Sequence, residues 1–162
     1  MSKVYHGSVE EVRNPEIRPS NRSLDYGTGF YTTTSFEQAE RLVQRRMKDK
    51  RVAVGYINVY DLDDEAIKRM KTLIFNAATE EWVRFVMKNR TDRTFTHDYD
   101  VVYGPVANDS VYTQFTLYEG EIISLPTLIQ ELKTFKLVDQ YLFHTEEALG
   151  ALRFVESVKI EL

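Results

Sequence analysis

An α+β fold is the class this sequence predicts, and three observations predict it. Strand-like and helix-like stretches are interspersed along the chain without the regular βαβ alternation of a parallel doubly wound sheet. The 162 residues show no internal repeat, low-complexity tract or dividing linker, so one domain spanning 1–162 is expected. Hydrophobic residues make up 43% of the chain, the usual globular value, which excludes general disorder.

Taken in order, residues 3–8 alternate as a short first strand. From Glu10 to Gly29 the chain turns polar, with Asn14, Pro15, Pro19, Asp25 and Gly27, and forms a long connection of the kind that is often functional. Ser35 is an N-cap with Gln38 as its capping-box partner, and Phe36, Ala39, Val43 and Met47 carry a helical stripe to about Lys48. Arg51–Tyr60 is a strand, with Val52, Val54 and Tyr56 on one side. Asp63 and Asp64 open a short helix through Met70, and Thr79 caps another that bears Trp82, Phe85, Val86 and Met87. Asp100–Tyr103 is a buried strand stopped by Gly104-Pro105, and Ala107–Tyr118 fits helix or strand equally. Ser124 opens a helix to about Lys133 with Pro126 in its first turn. Gln140–His144 is a strand, Thr145 caps a short helix, and Ser157–Leu162 alternates as the last strand.

Composition narrows the function classes. A net charge of −4 argues against a general nucleic-acid binder. One helix face, with Arg41, Arg45 and Lys48, is basic; it is a solvated face or a contact surface for RNA or an acidic partner. The absence of cysteine excludes disulfides, thiol nucleophiles and cysteine zinc sites. With no apolar leader at the N-terminus and no long apolar run, the expected location is the cytoplasm and no membrane partner is expected. The three histidines are widely spaced, so no metal is expected. No phosphate-binding P-loop and no GxSxG elbow is present, and Gly27-Thr28-Gly29 lacks the third glycine of a dinucleotide fingerprint.

Three segments carry the chemistry: Tyr5-His6-Gly7-Ser8, then Gly27-Thr28-Gly29-Phe30-Tyr31-Thr32-Thr33, then Asp139-Gln140-Tyr141-Leu142-Phe143. In this order they resemble the His–Tyr–Glu pattern of the ADP-ribosyltransferases related to diphtheria toxin and the poly(ADP-ribose) polymerases. That resemblance implies two packed, mostly antiparallel sheets flanked by helices around an NAD cleft. It also implies roles: His6 bonds a ribose hydroxyl, the Gly7 backbone meets the nicotinamide carboxamide, and Tyr31 stacks on the nicotinamide ring. Ser8, Gly29 and Phe30 complete the cofactor-binding set. Arg22, or its neighbour Arg18, would pair with the diphosphate.

The catalytic set by resemblance is His6, Tyr31 and Gln140, and two departures qualify it. Leu42 stands where many relatives place a second stacking tyrosine. Gln140 stands where the family carries its Glu; it can accept a hydrogen bond from the ribose 2′-hydroxyl, but it lacks the charge that stabilises an oxocarbenium-like cation. Asp139 should point to the opposite side of its strand. His144 is either at the cleft edge or a strand-end histidine.

The resemblance therefore implies transfer of a single ADP-ribose from NAD, as co-substrate, to a protein, RNA or DNA acceptor. Small bacterial domains of this kind are often toxins or defence effectors with a neutralising antitoxin protein as partner. The alternative is a catalytically weakened module that binds NAD or ADP-ribose. An RNA 2′-phosphotransferase, which shares the fold, needs a more basic cleft. Gln140→Glu is expected to raise NAD hydrolysis, and an unchanged rate would mean that another group supplies the charge.

Overall fold

The computed structural model describes residues 1–18 and 24–161. Along the chain run β1 (Ser2–Ser8), β2 (Phe30–Thr33), α1 (Phe36–Lys50), β3 (Val54–Leu62), α2 (Asp64–Lys68) and β4 (Thr72–Ile74). They are followed by α3 (Glu80–Thr91), β5 (Val101–Pro105), α4 (Asp109–Glu119), α5 (Leu125–Leu132), β6 (Asp139–Phe143), α6 (Glu146–Leu149) and β7 (Leu152–Glu161). The molecule is α+β, as expected.

Each helix begins where a short polar side chain accepts a bond from the first turn: Ser35, Asp63, Thr79, Asn108, Ser124 and Thr145. The ambiguous stretch after Ala107 is a helix because Asn108 caps it and Val111 and Phe115, four apart, share one buried face. The three-residue β4 was not expected; it is held by a parallel pairing with β5. β7 starts five residues earlier than its alternation indicates, and its register against β3 shifts between Val59 and Tyr60.

Two separate sheets were expected, and the strands instead form one, in the order β4-β5-β6-β2-β1-β3-β7. The reason is β2, which pairs along its whole length with β6 and also touches β1. The join is thin. Among the described residues Tyr5↔Thr33 is the sole register pair between β1 and β2, whereas β1 pairs with β3 from Ser2 to Ser8.

Alternation along the strands sends side chains into separate cores. Val102 and Leu142 join Trp82, Val86, Val111, Phe115, Leu128 and Leu132 under α3, α4 and α5. Val101 and Phe143 join Val4, Phe30, Tyr60 and Leu62 in a second cluster. Ala39, Val43 and Met47 of α1 cover Ile57 in a third. Gly7 belongs to this last contact: a Cβ there would stand 2.6 Å from Val43 Cγ2 and 2.7 Å from the Ala39 carbonyl oxygen.

Candidate functional site

Beyond Tyr5 the edges of β1 and β2 separate, and a cleft opens along the gap. One chamber, about 510 Å³, lies between α1 and the start of α4, with Gly7, Tyr31, Leu42, Arg41, Arg45 and Ser110 on its walls. A second, about 600 Å³, continues past Ser8 and Gly29 toward Arg18, Arg46, Lys50 and Arg90. His6, Tyr31, Tyr112 and Gln140 line both chambers. Both volumes fall within the range of small-molecule sites.

His6 works as a wedge in this gap. Its Nδ1 lies 2.7 Å from the Tyr31 carbonyl, taking the place of a strand-to-strand hydrogen bond just where the pairing stops. Only an N–H can bond a carbonyl, so Nδ1 carries the proton and Nε2 keeps its lone pair. Burial pushes the imidazole pKa down to about 4, so the ring is neutral at physiological pH. With Nδ1 engaged, His6 offers a ligand the Nε2 acceptor alone. Phe30 stacks against the ring at 4.2 Å from below.

Tyr31 closes its own turn. Its hydroxyl donates to the Gly27 carbonyl at 2.5 Å and accepts from the Tyr26 amide at 3.0 Å. Burial raises its pKa well above the phenol range, so it is no acid or base near neutrality. What remains for a ligand is the ring face. Leu42, at the position of the missing second tyrosine, lines the same chamber, and Tyr112 of α4 supplies a second aromatic ring there.

Gln140 is 7% exposed and projects from β6 into the cleft. Its Nε2 donates to Asp25 Oδ2 at 3.3 Å. Asp25, 9% exposed, also accepts the Ala107 amide on Oδ2 at 3.3 Å. Its Oδ1 accepts the Tyr112 hydroxyl and lies 3.4 Å from Arg90 Nη1. Arg90 in turn sits over the Tyr112 ring, 4.0 Å from the centroid. Next door in sequence, Tyr26 is fully buried, donating to the Pro105 carbonyl and accepting from Trp82 Nε1, both at 2.8 Å. Tyr26 thus anchors the loop in the core, and its neighbour Asp25 is turned into the cleft.

The other predicted residues divide. Ser8 and Gly29 line the second chamber. Phe30 is core and supports His6. Gly7 reaches the cleft by its backbone, although the missing side chain is explained by α1 and not by a ligand. Arg22 lies outside the described residues. Arg18 borders the second chamber but is ion-paired with Glu10 at 3.0 Å and Glu16 at 3.5 Å. Asp139 faces away from Gln140, as expected, and accepts the Tyr103 hydroxyl at 2.8 Å. His144 is a brace: Nδ1 meets the Thr28 carbonyl at 2.5 Å, and the ring lies 4.2 Å from His97.

Sequence reasoning missed Asp25, Arg90 and Tyr112. The long polar connection drew attention to its own region, and Asp25 stands two residues before the glycine turn, yet nothing in α3 or α4 signalled chemistry. Among the described residues no cluster of metal-ligating side chains is found, and no helix is long and apolar enough to cross a membrane.

Residues 2–154 match a family described as "Protein of unknown function (DUF3990)". No curated protein and no solved structure matches the chain.

Proposed function

We propose that this chain, which belongs to the DUF3990 family, is an NAD-dependent mono-ADP-ribosyltransferase with an ADP-ribosyltransferase fold. One observation carries the proposal: His6 with Gly7, Tyr31, and Gln140, from three distant parts of the chain, line a single cleft where the sheet parts. In this assignment nicotinamide enters the first chamber, stacked on Tyr31 between Leu42 and Tyr112, with its carboxamide on the backbone of Gly7. His6 Nε2 accepts a ribose hydroxyl. The rest of the dinucleotide extends into the second chamber, where Arg46, Lys50 and Arg90 face the diphosphate. The acceptor is a macromolecule, protein or nucleic acid, which approaches past the Arg41 and Arg45 rim. A toxin or defence effector held in check by an antitoxin protein fits this chemistry.

The test is incubation with NAD labelled on the adenylate, together with a cell lysate. Label should pass to a macromolecule, and Tyr31→Ala should abolish it. One specific feature, an amide at 140 in place of a carboxylate, favours the second reading, an NAD- or ADP-ribose-binding module. That reading predicts a thermal shift with NAD and no release of nicotinamide.

A further inference from the structure

We infer that Asp25 supplies the negative charge that Gln140 lacks, and that it fixes the Gln140 carboxamide for use; this rests on the NAD-cleaving reading above. Asp25 and Gln140 are the acid and the amide buried side by side in the cleft, 3.3 Å apart. A carboxylate accepts hydrogen bonds, so Asp25 can face only the amide nitrogen of Gln140. With the nitrogen engaged, the amide oxygen is the Gln140 atom left to accept the ribose 2′-hydroxyl. The two oxygens of Asp25 are separately held. Oδ1 is anchored by Tyr112 and Arg90, while Oδ2 lies on the Gln140 side with the Ala107 amide. Tyr26, locked in the core through Pro105 and Trp82, sets this position before any ligand arrives.

In the step it serves, the bond between ribose C1′ and the nicotinamide nitrogen breaks. The electron pair leaves with neutral nicotinamide, and the positive charge moves to the sugar. An oxygen of water or of the acceptor then bonds C1′ and releases its proton to solvent. Asp25 and Gln140 together present to that transient cation what a single glutamate presents in the resembling family.

The test is NAD hydrolysis by the full chain and three variants, with melting temperatures measured alongside. Asp25→Asn keeps the shape and removes the charge; kcat should fall about 100- to 1,000-fold with KM for NAD little changed. Asp25→Asn combined with Gln140→Glu should recover at least tenfold of that loss, since the charge returns one hydrogen bond away. A purely structural role for Asp25 would not be rescued this way. Gln140→Glu alone should not exceed the wild type, because two carboxylates at this distance share a proton. Equal kcat in wild type and Asp25→Asn, or a tenfold gain in Gln140→Glu alone, overturns the role of Asp25 while leaving the transferase intact. Should Asp25→Asn fail to fold, the Gln140→Glu arm decides. A wild type that leaves NAD whole overturns the function and this role together.

Discussion

At the scale of the residue, a histidine before a glycine in the first strand and a tyrosine after a glycine pair were legible because their spacing and neighbours are unusual. Their hydrogen bonds were not legible, since these depend on how far two strands diverge. His6 illustrates the difference: its type and place were readable, but the Tyr31 carbonyl decides which nitrogen serves a ligand. Asparagine at this position can place its amide nitrogen near that of Nδ1 and has nothing at Nε2. His6→Asn is therefore expected to weaken NAD binding about 2- to 10-fold, the value of one net hydrogen bond, with little change in melting temperature. Wild-type affinity should stay flat between pH 5.5 and 8, because a ring titrating at about 4 is neutral throughout. Calorimetric titration checks both, and a binding transition centred near pH 6.5 would count against a ring held neutral by burial.

At the scale of the element, α1, β1, α3, α5 and β6 announced themselves through caps and periodicity. β4 was too short to carry a pattern, and α4 mixes aromatic and β-branched residues that suit a strand as well. The decisive contact at this scale joins α1 to β1. Gly7 allows the helix backbone and Val43 to lie against the strand, and this holds the β1 lip of the cleft in place. Gly7→Ala should cost about 1–3 kcal/mol through overpacking, or roughly 3–10 °C in melting temperature for a domain of this size. Loss of NAD affinity should follow, because the lip carries His6. Thermal unfolding with and without NAD measures both effects; a Gly7→Ala variant as stable as wild type would mean that α1 yields, and that the glycine serves the ligand instead.

At the scale of the whole molecule, the site lies where two parts of the sheet meet, among the described residues, through one register pair, and that topology could not be read from any single segment. It also ties stability to pH. His6 is held neutral down to about pH 4, and burial lowers the pKa of His97, whose Nε2 lies 2.7 Å from the Tyr26 carbonyl behind the same loop. Both fold with a pKa below the ordinary 6.5. For His6, between that value and about 4 the unfolded chain binds a proton that the folded chain refuses, and His97 acts in the same direction, so stability is full above pH 6.5 and falls as the solution is acidified. His6 alone sets a slope approaching about 1.4 kcal/mol per pH unit in this window. The carboxylates with lowered pKa, Asp61, Asp92 and Asp98, lose their contribution mainly below their ordinary 3.8, so they do not mask the histidine range. Urea midpoints should therefore drop steadily from pH 6.5 to 4.5 and be level from 7 to 8, with a shallower fall in His6→Asn. A midpoint independent of pH across the acid range would show that His6 protonates freely in the folded state, and the wedge between β1 and β2 would then not be the buried neutral ring on which the geometry of the cleft depends.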